Sequence, residues 1–379
     1  MTPGRPRSVH SVIDEAPPRK SPAGRDGSGS PDSVRHLFTA DRALLDILSE
    51  ASATSALMGF GYRRLWGTLV EATDGGKRFR SALLAVAYRA WGGTDTQAAA
   101  AVGAAVELLH TAFVVHDDVI DGDDTRRGRP NVSGSHAEEA RAAGVSEARA
   151  REYGSAAGIL AGDLALAAAL RAVAFCPAPQ PTVRRLFDLF DRALHTTAAG
   201  ELADVWMSLG ADHPSLPEIL AAEERKTAAY SFTLPLQAGA VLAQAPDHVV
   251  DSAGDVGRRL GISFQLVDDL LGVFGDPAAT GKSVLSDLRT GKQTPLIAHA
   301  RTTAWWPEIR AYVGRADLTE TEAARTRRML TECGSRSFVE DLALDYADSA
   351  LTACREMGMP PALVTWITSM TGELLERVR

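Results

Sequence analysis

The sequence predicts an all-α protein folded as a single large helical bundle. Three observations carry this: apolar residues recur at helical spacing, strand signals are nearly absent, and the breaks between periodic segments have turn chemistry. Of the first 34 residues, 16 are Gly, Pro or Ser, without apolar periodicity, so 1–34 are expected as a disordered tail and 35–379 as one all-α domain. Leu44, Leu45 and Leu48 begin the helical texture, and Leu83, Leu84 and Ala87 continue it. Longer patterns predict helices at Thr96–Ile120, Gly154–Phe175, Thr182–Leu209, Leu216–Leu242, Asp247–Phe274, Lys292–Arg301, Glu320–Cys333 and Ser337–Met357. Trp91-Gly-Gly, Gly128-Arg-Pro130, Cys176-Pro-Ala-Pro179 and Gly275-Asp-Pro277 punctuate them. Residues 131–153, polar and rich in Ala, Glu and Arg, are expected as a connection with some helix of its own. No linker divides the folded part.

Composition narrows the function. With 379 residues and 45% apolar content the chain can bury a large core without staples. Cys176, Cys333 and Cys354 form no C-x-x-C pair, so neither a zinc site nor a disulfide framework is suggested. A net charge of −8 and a pI near 5.6 argue against nucleic-acid binding, whose affinity comes largely from Lys and Arg. No run approaches the roughly twenty uninterrupted apolar residues that span a bilayer, and the N-terminus lacks a signal-peptide core. A cytoplasmic chain with no transmembrane segment is therefore expected. Of 40 basic residues only Lys20, Lys77, Lys226, Lys282 and Lys292 are lysine, and four of these five fall in the segments described next.

His110-Thr-Ala-Phe-Val-Val-His-Asp117-Asp118-Val-Ile-Asp121 is an apolar helix ending in carboxylates. Asp117 and Asp121 lie one turn apart on one face, with Asp118 beside them. Such close like charges need solvation or a divalent cation, and oxygen ligands are what magnesium prefers. An ordinary acidic helix end leading into a solvated loop is equally compatible with this segment alone. A second adjacent pair, Gln265-Leu-Val-Asp268-Asp269, closes another long apolar run. Two acidic helix ends holding cations are a way to bind a polyanion such as diphosphate. The basic residues fit that ligand: Lys77 and Arg80 in Gly75-Gly-Lys-Arg-Phe-Arg80, Arg126-Arg127 directly after the first acidic cluster, then Lys226-Thr227, Gly281-Lys282 and Gly291-Lys292.

In order and spacing these segments, with Glu107-Leu-Leu-His110 and Ala161-Gly-Asp163, resemble the trans-isoprenyl diphosphate synthase family, the farnesyl and geranylgeranyl diphosphate synthases, over about residues 40–375. The resemblance implies an isoprenoid-synthase bundle with a central active-site cavity, and a homodimer. It implies about three magnesium ions per site, two held by Asp117 and Asp121 and one by Asp268, with Asp118, Asp269 and Gln265 supporting the shell. Arg126, Lys226 with Thr227, and Lys282 would hold an allylic diphosphate. Lys77, Arg80, His110 and Arg127 would form a separate isopentenyl diphosphate pocket, and Lys292 would close over the site. Two positions depart from the family pattern. Gly272 stands where the second motif has its third carboxylate, and Glu201 stands where glutamine is frequent. Asp268 can still ligate a metal, and Asp276 is near enough in sequence to contribute electrostatically.

The implied reaction joins an allylic diphosphate to isopentenyl diphosphate, releasing diphosphate. Two diphosphates and five aspartates bring about eleven negative charges, and three magnesium ions with seven Lys/Arg about thirteen positive ones, so metal and substrate should bind interdependently. No Ser–His or Cys–His nucleophile arrangement is evident, and none is required. On the helix ending in Asp117, the residues one turn deeper are Phe113 and Ala112, where a growing chain would meet the floor. In the resembling family, bulky side chains at both positions go with short products. Small Ala112 beside Phe113 therefore suggests a geranylgeranyl product, with farnesyl diphosphate as the alternative. A class I terpene cyclase and a catalytically silent partner subunit are the competing classes. The first lacks a need for the Lys77/Arg80/Arg127 pocket, and the second would be expected to lose its acidic motifs.

Overall fold

A computed structural model of the chain describes residues 31–55, 57–74, 76–210, 213–275 and 285–377, with side chains from Ala40 onward except that of Thr54. The first half runs α1 (Pro31–Ser55), α2 (Phe60–Thr73), α3 (Phe79–Ala90), α4 (Thr96–Asp121), a minimal hairpin of β1 (Thr125–Arg126) and β2 (Arg129–Pro130), α5 (Val132–Ala142), α6 (Glu147–Ala174) and α7 (Gln180–Ser208). After α8 (Leu216–Glu223) the helix continues as a π-helical segment (Glu224–Thr233) into α9 (Leu234–Leu242). Then follow α10 (Asp247–Phe274), α11 (Ser286–Thr290), α12 (Pro295–Ala300), α13 (Trp306–Ile309), α14 (Glu320–Glu332), α15 (Ser335–Glu356) and α16 (Pro361–Leu375). The all-α bundle expected from the pattern is the fold observed.

Helix α4 is the spine. The Asp95 carboxylate starts it by accepting from the N–H groups of Gln97 and Ala98, two donors that would otherwise lack partners. Every residue from Val102 to Leu109 is buried, as an all-round apolar helix must be, and α1, α3 and α6 pack around it. Gly122 ends it in the left-handed region at φ 70, while the N–H of Asp123 donates to the Asp118 carbonyl at 2.9 Å. This stop leaves the three carboxylates on the final turn.

A second cluster packs the last turns of α10 against α11 to α15, and a third joins α3, α9, α10, α15 and α16. The acidic end of α10 is thus gripped on its apolar sides. Helix α10 itself begins and ends where the periodicity predicts.

Several expectations need correction. Helix α1 reaches back to Pro31, inside the expected tail. The connection at 131–153 holds all of α5 and the first turns of α6, which starts at Glu147 rather than Gly154. The helix expected from Lys292 starts only at Pro295, because Gly291 turns left-handed at φ 71 and Thr294 is extended. Helix α16 was not anticipated. Two helices, α4 and α6, are long and apolar enough to cross a membrane, although no such run was expected, but 78% and 44% of their apolar windows are buried inside the bundle. Helix α4 is a core helix by that measure.

Candidate active site

The first acidic turn meets the chain again through the hairpin. Arg127 (φ 54) and Gly128 (φ 72) form a left-handed two-residue turn, the geometry that suits the twist of a tight hairpin. Arg126 is thereby folded back over α4. Its Nε and Nη2 donate to Oδ1 of buried Asp118 at 2.8 and 2.6 Å, and Nη2 lies 3.3 Å from Oδ2 of Asp117. Burial raises the Asp118 pKa, and the guanidinium opposes it.

Lys226 completes this cluster from the π-helical segment. Its Nζ lies 3.1 Å from Asp117 Oδ1, 3.0 Å from Glu201 Oε1 and 2.8 Å from Asp204 Oδ2. Despite burial, the three carboxylates hold the Lys226 pKa above its ordinary value. Gly200 makes the approach possible: a β-carbon there would sit 2.7 Å from the Arg225 carbonyl carbon. The ten-residue π stretch is itself unusual, since such windings are mostly single-turn and cluster at functional sites. Asp121 has its carboxyl pushed up to about 6, first by burial and then by Asp117.

At the end of α10, Asp269 is 1% exposed. Its Oδ1 accepts from Gln265 Nε2 at 2.9 Å and from Lys292 Nζ at 3.2 Å, and its Oδ2 is buried with no hydrogen-bond partner. Glu223 packs beside it, also with a buried unpartnered oxygen, Oε2. Burial, then the Asp269 charge, drive the Glu223 pKa well above normal. Lys292 remains charged, held by Asp269 first and also by Asp287, Asp204 and half-buried Asp268. A cavity of about 40 Å³ joins the clusters, lined by Asp204, Glu223, Lys226, Thr227, Gln265 and Lys292. The larger groove, about 350 Å³ and bounded by Arg192, Glu224, Asp251, Asp255 and Arg258, contains none of the residues predicted from the motifs.

A separate basic pocket surrounds Tyr230. Arg80 Nε donates to Ser231 Oγ at 3.1 Å, its guanidinium lies 5.1 Å from the Tyr230 ring centre, and His110 Nδ1 is 3.3 Å from the Tyr230 hydroxyl. Burial first, then the charges of Arg80, Arg126, Arg127 and Arg78, keep the His110 pKa well below 6.5. Arg78 holds a strained left-handed backbone (φ 48) at the start of α3, anchored by Nε donating to Asp41 Oδ1 at 2.6 Å. Arg127 Nη1 donates to the Asp74 carbonyl at 3.4 Å, and its guanidinium lies over Gly76. Lys77 is exposed beside them. Ala112 is buried, while Phe113 is half-buried and edge-on to Tyr230, ring centres 4.9 Å apart.

Thus Asp117, Asp118, Asp121, Arg126 and Lys226 come together, as do Gln265, Asp269 and Lys292, and Arg80, His110 and Arg127 share the second pocket. Lys282 and Asp276 lie outside the described residues. The motifs did not point to Glu223, Tyr230 or Asp287. Glu223 stands one turn before Lys226, but a glutamate in Glu-Glu-Arg-Lys carries no signal of burial.

Divalent cations fit this chemistry. Asp121 resists ionisation, and buried oxygens of Asp269 and Glu223 lack partners, needs that a hard cation would meet. Among the described residues no three His, Cys, Asp or Glu groups converge tightly enough to ligate an ion as they stand. Lys226 and Arg126 now neutralise Asp117 and Asp118, so cation binding at that turn would require these side chains to give way.

The chain matches known proteins over most of its length. A polyprenyl synthetase family model matches residues 67–326. A geranylgeranyl diphosphate synthase of Sulfolobus acidocaldarius is 35% identical over 277 residues, covering 73% of this chain and 76% of that one. A (2E,6E)-farnesyl diphosphate synthase of Mycobacterium tuberculosis is 31% identical over 311 residues, 80% of each chain. The crystal structure of geranylgeranyl pyrophosphate synthase from Corynebacterium glutamicum, complexed with isoprenyl diphosphate and magnesium, superposes with a TM-score of 0.83 at 28% identity, covering 90% of this chain and 98% of that one.

Proposed function

This chain belongs to the polyprenyl synthetase family and is a trans-prenyltransferase; from that premise we propose that it extends an allylic diphosphate with isopentenyl diphosphate to geranylgeranyl diphosphate. The observation that carries the reading is two acidic helix ends, each with a lysine on it, Lys226 at Asp117 and Lys292 at Asp269, beside a second, separate basic pocket around His110 and Tyr230. One diphosphate site would suffice for a cyclase. Two are needed to join two diphosphates.

Asp117, Asp121 and Asp268 would hold about three magnesium ions, with Asp118, Asp269 and Gln265 in support. Bound magnesium supplies Lewis-acid charge to a departing diphosphate. Arg126 and Lys226, freed from their carboxylates, would bind the allylic diphosphate together with Thr227 and Lys282, and Lys292 would cover it. As the allylic C–O bond breaks, these fixed cations stabilise the charge developing on the leaving group. Lys77, Arg80, His110 and Arg127 would orient isopentenyl diphosphate, whose double bond attacks the allylic cation. The proton is then lost to the departing diphosphate. The apolar residues of α4 on either side of Phe113 would keep water out and receive the product tail.

The farnesyl diphosphate synthase relatives, as similar as some geranylgeranyl ones, make a shorter product the second reading. A homodimer is supported by exposed Leu202 and Trp206 along one stripe of α7, exposed Leu209 just past its end, and exposed Ile159 and Leu160 on neighbouring α6. The lack of any Cys pairing signal in the sequence supports a cytoplasmic setting. The test is incubation with magnesium, isopentenyl diphosphate and each allylic diphosphate in turn, followed by product chromatography. A C20 prenyl diphosphate is expected. A hydrocarbon or terpene alcohol formed without isopentenyl diphosphate would make it a cyclase, and no turnover a silent subunit.

A further inference from the structure

The groove of about 350 Å³ takes no part in the proposed reaction. Its size falls in the range of small-molecule pockets, which begins at roughly 300 Å³. Helices α7 and α10 form its walls, and its floor is the outer face of the π-helical segment and α9, through Ala229 and Leu234. The inner face of the same segment carries Lys226, Thr227 and Tyr230 to the two proposed diphosphate pockets. Groove and site thus lie back to back on one stretch of helix. Small residues keep the groove open: Ala193 and Ala229 bring little bulk, and a β-carbon at Gly254 would lie 2.5 Å from Gln237 Nε2. That nitrogen donates to the Val250 carbonyl at 3.1 Å, which holds Gln237 along the α10 wall. Leu189, Ala193 and Leu234 make the interior apolar.

The charges around it fall into two sets. Arg258 is engaged, for its Nη2 donates to Asp255 Oδ1 at 2.9 Å and its Nη1 lies 3.7 Å from Glu224 Oε2. Arg192 on α7 and Asp251 on α10 are exposed and, among the described residues, have no ion pair or side-chain hydrogen bond with each other or with any neighbour. One wall therefore offers an unpaired guanidinium and the other an unpaired carboxylate, with an apolar floor between them.

We infer that this groove binds a small zwitterion with an apolar side chain, of the apolar α-amino acid class. The ligand carboxylate would meet Arg192, its ammonium Asp251, and its side chain the floor of Leu189, Ala193 and Leu234. The charge pattern selects this class by rejection as well as attraction. A plain amine would place a like charge beside Arg192 and leave that guanidinium unpaired, a plain carboxylate would do the same at Asp251, and the zwitterion answers both walls without adding net charge. A ligand that joins α7 to α10 across the π-helical segment also braces the winding that positions Lys226. It should therefore stabilise the folded chain.

The experiment is calorimetric titration of the full-length protein, without magnesium or prenyl substrates, with L-leucine, glycine, isoamylamine and isocaproate, beside thermal melting of each mixture. Isoamylamine is leucine without its carboxylate, isocaproate is leucine without its ammonium, and glycine lacks the apolar side chain. Saturable one-to-one binding of L-leucine with a raised melting temperature is expected. The three analogues should each bind about tenfold or more weakly, the scale of losing a charged hydrogen bond or the apolar contact. Arg192→Gln and Asp251→Asn change exposed side chains, so each should melt like the native protein without ligand and weaken L-leucine binding about tenfold or more. Absence of saturable leucine binding would overturn the inference, as would an analogue that binds as tightly as leucine, or leucine binding unchanged in either variant.

Discussion

At the residue scale, the two basic regions differ in what their side chains do before substrate arrives. Lys226 and Arg126 are bound to carboxylates, whereas Arg80 is held by Ser231 and the Tyr230 ring and so is already directed into its pocket. Arg80→Ala is therefore expected to raise KM for isopentenyl diphosphate about tenfold or more while leaving that for the allylic substrate within about twofold, since losing a charged hydrogen bond costs roughly 1.5–3 kcal/mol. Equal effects on both substrates in steady-state kinetics would show the pockets to be wrongly assigned. His110 gives a pH prediction. Its folded pKa lies well below 6.5 because burial and surrounding guanidinium groups oppose its charge. Below pH 6.5 the unfolded chain takes up a proton that the folded chain refuses. The His110 contribution to stability is thus fully present above pH 6.5 and falls as pH drops beneath it, by at most about 1.4 kcal/mol per pH unit. Denaturant unfolding of His110→Gln should show that much less acid sensitivity, and identical slopes would refute the claim.

At the scale of elements, the proposed function gives α4 two roles, carrying the acidic turn and forming the floor that the product tail would meet. Phe113 lies one turn before Asp117 and packs on Tyr230, and Ala112 is buried beside it. Ala112→Phe should shorten the main product by one isoprene unit and Phe113→Ala should lengthen it, read by chromatography of the products; unchanged lengths in both would put the floor elsewhere. How far such elements can be read in advance depends on what marks them. Asp247–Phe274 was fully legible, with apolar residues spaced at helical period between Pro246 and Gly275. The start of α6 was not, because Glu147 to Tyr153 is polar and lacks an apolar stripe. Helix α16 was missed because Pro360-Pro361 looks like a terminator, whereas proline in the first turn is a favoured helix start. The π winding leaves no trace in apolar spacing. It is a matter of hydrogen-bond register, yet it carries Lys226, Thr227 and Tyr230 into the two pockets.

For the whole molecule, the site exists only because distant segments converge: α4 with the hairpin, α7, the π-helical segment, α10 and the turn after α11. Motif residues near helix ends were visible in the sequence because acid pairs and scarce lysines stand out. Glu223 and Asp287 were not, since each looks like a surface acid until packing buries it or brings it against Gly272. The central claim is that the two acidic helix ends form one cation-dependent diphosphate site. The most direct measurement is prenyl-transfer turnover of Asp117→Ala and Asp268→Ala beside the native protein, with circular dichroism of each. Both variants should keep the native helical signal and lose at least roughly 100-fold in turnover, the scale set by removing a key electrostatic group from an active site. Near-native turnover in either variant, with its fold intact, would contradict the account.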